Sequence, residues 1–154
     1  MKKGFTLIEL MVVMVVIAIL VGIAIPRFKG MQDEANITKA QSELKTLQVA
    51  VESYRSNQNP PAYPDTATSL VEDYLLDASP QIVSSILYDP FNPDNEAEYQ
   101  YILSDDGHFY IIYSYGPDGV SNILRIQDST GDIDVDDTET DDIFVTNGSG
   151  NFGV

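Results

Sequence analysis

Few side chains in this 154-residue chain could do chemistry. It has no cysteine, which excludes thiolate nucleophiles, thiolate metal sites and disulfides. The single histidine, His108, is expected in a strand among aromatic neighbours, without a nucleophile to serve. Asp105 and Asp106 fall in an expected turn, and neither they nor His108 form a catalytic constellation. The tyrosines are expected in core and interface positions. Asp132, Asp134 and Asp136 have the spacing that opens an EF-hand loop. Its sixth position would be Asp137, not Gly, and its twelfth Ile143, not Glu, so the motif fails and the acidic run reads as a solvated loop. No enzyme is expected. The acid that needs a reason is Glu9, which stands inside an apolar run where a carboxylate is expensive. Two readings of it stay open on the residues alone. Glu9 could snorkel towards the membrane interface. Alternatively, a cut between Gly4 and Phe5 would create an amine one helical turn from Glu9. In staggered copies, the amine of one chain could then meet the Glu9 of the next, and a buried pair is favoured over two lone charges. Such a pair would set the register of bundled helices.

The element that positions Glu9 runs from Phe5 to Ile25. These 21 residues have only Thr6 and Glu9 as polar side chains. At roughly 1.5 Å per residue they make about 30 Å of helix, one hydrocarbon thickness. Lys2 and Lys3 precede the run, which predicts the N-terminus in the cytoplasm and the remainder outside. The run is longer than a secretory signal core and leads into Pro26-Arg27-Phe28, so it reads as retained. Pro26 cannot donate to the Gly22 carbonyl, so a perturbed turn is expected over 22–26. Beyond it, Phe28, Met31 and Ala35, then Ala40, Leu44, Leu47, Val51 and Tyr54, recur at helical steps, with Lys39, Glu43 and Lys45 on the other side. One helix from about Phe5 to Arg55 is predicted, ended by Asn57, Asn59, Pro60 and Pro61.

The remainder reads as a small α+β domain. Asp65 or Thr66 is expected to cap a short helix through Leu76, and Ser79-Pro80 to open another through Leu87. Glu98–Leu103 and Phe109–Tyr115 predict a β-hairpin, and Ile123–Ile126 a third strand. A three-stranded antiparallel sheet on the second half of the long helix follows. From Asp128 onward, only Ile143-Phe144-Val145 is strand-like, within sequence that reads as loop, edge strand or partly disordered. The net charge is −16. From Asn57 on, nineteen acids face one base, Arg125. That surface repels phosphate backbones and excludes nucleic acid as a partner.

Lys3-Gly4-Phe5-Thr6-Leu7-Ile8-Glu9-Leu10 resembles the cleavage and methylation motif of type IV pilins and type II secretion pseudopilins. Tyr63-Pro64, Asp89-Pro90-Phe91 (Phe where the family has Trp), Asn92-Pro93, Tyr99-Gln100-Tyr101 and Ser114-Tyr115-Gly116-Pro117-Asp118-Gly119 are similar to the major pseudopilins of type II secretion. The resemblance implies a leader 1–4, a transmembrane and filament-core helix 5–25, and a periplasmic pilin-like domain 26–154. It implies a prepilin peptidase that cuts after Gly4 and methylates Phe5, and assembly through Thr6, Glu9, Gly22 and Pro26. Implied partners are further copies of the chain, minor pseudopilins, an assembly ATPase with its inner-membrane platform, and the inner membrane before assembly.

The resemblance also implies calcium, which in that family locks the C-terminal loop. Asp118 is the first ligand it points to. The second acid lies in Asp132 and Asp134 or in Asp141 and Asp142; the latter are favoured because a strand-like segment follows. Ser114, Ser121 and Asn122 could add oxygens, as Ca²⁺ takes several. The expected function is a structural subunit of a secretion pseudopilus. The alternatives are a surface type IV pilin for adhesion or motility and, from another class, a membrane-tethered calcium-dependent binding module.

Overall fold

The structure, a computed structural model, describes residues 4–65, 69–76, 78–79, 81–94, 97–136 and 140–153. Lys2 and Lys3 therefore lie outside the described residues. The first element is α1, Leu7–Asn57. It continues through Pro26, so the perturbation expected there does not end the helix. The chain divides into two compact units between Ala35 and Asn36.

In the first unit every large apolar side chain from Phe5 to Met31 is exposed. Apolar all round up to Ile25, this helix has no face to bury against its own chain. It is the one helix among the described residues long and apolar enough to cross a membrane.

The second unit is a layered α+β domain. From Asn36 on, α1 buries Ala40, Leu44, Leu47, Ala50 and Val51, a stripe at steps of three and four. This stripe meets one face of a three-stranded antiparallel sheet of order β1-β2-β5, built from Gln100–Leu103, Tyr110–Ser114 and Ile143–Thr146. A second sheet, order β3-β4-β6, comprises Ile123–Ile126, Ile133–Val135 and Phe152–Gly153, with β4 and β6 parallel. The central strand β2 is buried at all five positions. Its alternation assigns Tyr110 and Ile112 to the core shared with α1, and Ile111 and Tyr113 to the core shared with Ile123, Ile126 and Ile133. Each fully buried Leu or Ile in these cores contributes about 1.5–3 kcal/mol.

The long helix, the hairpin and the α+β class follow the sequence expectation. Three details differ. Ile123–Ile126 does not join the hairpin's sheet; Ile143–Thr146 takes that place, pairing Ser114 with Ile143. No helix forms over 81–87. Ile82 and Val83 instead donate their N–H groups to the Leu75 carbonyl, and Pro80 lies outside the described residues. The expected helix ending at Leu76 is one π-helical turn, Val71–Leu76. Ser69, not Asp65, caps it, accepting the Glu72 N–H at 3.0 Å and donating to Glu98 at 2.6 Å. Thr66 lies outside the described residues.

Acids of α1 are drawn into the core by tyrosines. Glu43, expected on the solvent side, is part-buried and accepts the Tyr99 hydroxyl at 2.7 Å. Glu52 accepts Tyr110 at 3.0 Å and Tyr63 at 3.2 Å. Burial holds the Tyr99 and Tyr110 hydroxyls above the usual phenol range, with the neighbouring glutamates adding to it, so both remain donors.

Candidate functional site

Two places gather the residues singled out in the sequence. The first is the head of α1. Thr6 is the N-cap and Glu9 the third residue of the helix. Glu9 Oε2 accepts the Thr6 N–H at 2.8 Å and the Thr6 hydroxyl at 2.7 Å, and the Glu9 N–H reaches Thr6 Oγ1 at 3.3 Å. This is a reciprocal capping box, Thr-x-x-Glu. It satisfies backbone donors that the first turn of a helix otherwise leaves open. Reading Glu9 for its charge alone missed this second role, although the spacing signals it. Both carboxylate bonds use Oε2, so the cap does not consume Oε1. Gly4 and Phe5 precede the helix as exposed chain outside regular secondary structure, and Gly4 has no heavy atom near where a Cβ would stand. A peptide bond in such a segment can enter a protease cleft without unwinding the helix. Gly22 and Pro26 lie within α1, both exposed.

The second place is the loop after β2, where it meets the strand entry of β5. Gly116, at φ 68°, lies against the backbone of Asp141, so any Cβ at 116 would overlap the Asp141 carbonyl. Across this approach the Asp118 N–H donates to Asp141 Oδ2 at 3.1 Å. Asp118 Oδ1 accepts the Val120 N–H at 2.8 Å and closes its own turn. Asp142 Oδ2 accepts the Asn122 N–H at 2.8 Å, while its Oδ1 is buried without a partner. Asp141 is exposed overall, but partial loss of water at its carboxyl raises its affinity for a proton; the Asp118 N–H opposes the rise and the Asp118 charge adds to it. Burial likewise raises Asp142, opposed by the Asn122 N–H and increased by Asp141.

The structure therefore brings Asp118, Asn122, Asp141 and Asp142 together. Asp132 and Asp134 are engaged elsewhere: Asp132 accepts the Ser149 hydroxyl, and Asp134 meets the Arg125 guanidinium at 2.6 Å and the Gln127 amide at 2.7 Å. Ser114 and Ser121 line the neighbourhood but are already engaged. Ser121 donates to Tyr113 at 3.2 Å. Ser114 donates to Asp89 Oδ1 at 2.6 Å. Asp89, which the sequence singled out only through its Asp-Pro-Phe resemblance, carries the loop. It is 2% exposed and also accepts the Phe91 and Tyr115 N–H groups at 3.0 Å each, tying the Asp-Pro-Phe turn to the base of the 115–119 loop. Among the described residues no group of three or more His, Cys, Asp or Glu side chains forms a ready metal cage. Crowded carboxylates and an orphaned buried oxygen are nevertheless the features a hard cation would relieve.

His108 lies in the β1–β2 turn, not in a strand, with Nδ1 3.0 Å from Asp106. The pair belongs to the turn's own bonding. Asp106 accepts the Ser104 hydroxyl at 2.6 Å and the His108 N–H at 3.0 Å, which hold its carboxyl below the usual range.

Comparison with known proteins adds to this geometry. Residues 1–25 match the prokaryotic N-terminal methylation motif, and residues 27–133 match type II secretion system protein G. The type II secretion system core protein G of Dickeya chrysanthemi is 30% identical over 129 residues, covering 77% of this chain and 80% of that protein. Its counterpart in Escherichia coli K12 is 31% identical over 121 residues, covering 77% and 83%. A fimbrial protein of Pseudomonas aeruginosa is 48% identical over 52 residues, 34% of each chain. No solved structure matches significantly.

Proposed function

Because the chain belongs to the protein G family of type II secretion systems, the major pseudopilins, we propose that the head of α1 is its polymerisation device and that Glu9 sets the register. The protein is a structural subunit of a type II secretion pseudopilus. The observation that carries the proposal is a capped carboxylate on a helix whose apolar surface has no cover within its own unit.

Before assembly the apolar run lies in the inner membrane, with the domain on the periplasmic side. A prepilin peptidase cuts after Gly4 and methylates Phe5. The capping box fixes the Glu9 side chain over the first turn, so the carboxylate is already oriented when the new Phe5 amine of a neighbour arrives. Orienting it in advance lowers the entropy lost on pairing, and in hydrocarbon the pair replaces two separately stranded charges. An assembly platform with its ATPase, and minor pseudopilins, would start and extend the fibre. Its work is mechanical. Two outcomes test this. Deletion of the gene should abolish export by the secretion machine, and electron microscopy at native expression should find no long surface fibres of this chain. The short, high-identity match to fimbrial protein supports the second reading, a surface pilus, and long surface fibres would favour it.

Calcium is the second part of the proposal. Asp118, Asp141 and Asp142 would hold it, with Asn122 beside them; Ca²⁺ would supply the positive charge that these carboxylates lack. Gly116 gives the loop its approach to Asp141, and Asp89 fixes the loop's base through Ser114 and Tyr115. The ion would then pin the entry of β5 to the end of β2, a clamp for a chain that has no disulfide. The melting temperature of the full chain in detergent should rise with calcium over chelator. Absence of that rise would remove calcium from the account.

A further inference from the structure

Two apolar features lack an occupant within their own unit. One is a groove of about 500 Å³ on the outer side of α1 in the folded domain, lined by Lys45, Val49, Ala50, Ser53, Ile82 and Val83. Val49 there is 69% exposed, and Lys45 has no ion pair among the described residues. The other is the pair Phe28 and Met31, 69% and 65% exposed. They continue the stripe Leu20, Ala24, Phe28, Met31 past Ile25. The run up to Ile25 already matches one hydrocarbon thickness, so these two side chains project beyond the lipid core.

We infer that the groove of one subunit receives the Phe28–Met31 stripe of a second copy, its α1 parallel to the first. Lys45 lies over the Phe28 ring and Val49 beside Met31. The inference rests on the filament reading above and adds to it a second contact, separate from Glu9. Three observations argue for a copy of this chain as the occupant. The spacings agree: Lys45 and Val49 stand on successive turns, as do Phe28 and Met31, and both pairings require nearly the same offset, 17 and 18 positions along the chain. The groove's charge is an unpaired ammonium on an apolar stem, which suits an aromatic face. The stripe also continues the uncovered apolar surface of Phe5–Ile25 that the filament reading above assigns to association between copies. Each copy offers one groove and one stripe. The contact is therefore heterologous and propagates along a fibre without closing into a ring.

The chain's lack of cysteine makes the test clean. Met31→Cys and Val49→Cys are introduced into the full chain, singly and together, and assembling cells are treated with a mild oxidant. A ladder of covalent multimers beyond the dimer, from the double variant alone, is expected. Fibres without that ladder, or a dimer from Val49→Cys alone, would overturn the inference and leave the filament reading intact. If the wild-type chain forms no fibres at all, both fall together. Val49→Asp gives an independent arm. Fibres should be lost with the melting temperature unchanged, and a wild-type fibre yield from this variant would also overturn the inference.

Discussion

The two units of this chain solve the burial problem in opposite ways. Residues 36–153 build their own core: β2 is buried on both faces, and even Glu43 and Glu52 of α1 are taken up by tyrosine hydroxyls. Residues 4–35 cap their helix through the Thr6–Glu9 pair and leave every large apolar side chain from Phe5 to Met31 uncovered. One unit buries a core of its own as a single molecule. The other is complete only in lipid or among copies. That contrast is what a subunit stored in a membrane and used in a fibre requires. It also predicts that substitutions in the two units fail in different assays.

The largest expected effect falls on the unit with its own core. Leu47→Ala empties a site with no exposed surface and should cost ~2–5 kcal/mol, read as a large fall in melting temperature with membrane insertion unchanged. Gly116→Ala comes next. It forces a left-handed residue and a Cβ onto the Asp141 carbonyl, and should destabilise the domain by ~1–3 kcal/mol. If calcium is held there, the variant should lose its calcium response as well. Thr6→Ala removes the cap and should weaken the head of α1 by ~0.5–2 kcal/mol while leaving the domain's melting untouched. A domain melting shift in that variant would break the separation between the units.

The smallest effect concerns pH and charge at the loop pair. Asp141 and Asp142 have folded-state affinities for protons raised above those of the unfolded chain. Their favourable contribution is therefore complete below the unfolded carboxylate range and is lost as pH rises through the folded values. Without calcium, Asp141→Asn should raise the melting temperature at neutral pH by at most ~2–4 °C, since the carboxyl is exposed. With calcium the same variant should be the less stable of the two. A sign that is the same with calcium and with chelator would remove Asp141 from the ion site.

Much of this was readable in advance, for reasons that differ by region. α1 and the β1–β2 hairpin are written in local periodicity, and the N-terminal motif in a contiguous octapeptide. The division of the six strands among the described residues between two sheets is not local. β4, β5 and β6 are two to four residues long, and only pairing to distant partners, such as Ile143 to Ser114, tells them from loop. The same holds for Asp89: its sequence neighbours announce a turn, while its role comes from Ser114 and Tyr115, 25 and 26 residues away. The loop motif pointed to Asp118, and the strand-like segment after them favoured Asp141 and Asp142. The fold adds that Asp118 and Asp141 meet across the loop, while Arg125 and Ser149 engage Asp134 and Asp132.

The central claim is that Glu9 works in assembly through its charge and not only through its cap. Glu9→Gln separates these roles, since glutamine at this helix position can still accept the Thr6 N–H but carries no charge. Fibre yield from this variant, measured by electron microscopy and shearing at matched membrane levels, is the direct measurement. The account predicts that fibres are lost while the protein accumulates, inserted and folded, in the membrane. Wild-type fibres from Glu9→Gln would contradict it and leave Glu9 as a helix cap alone.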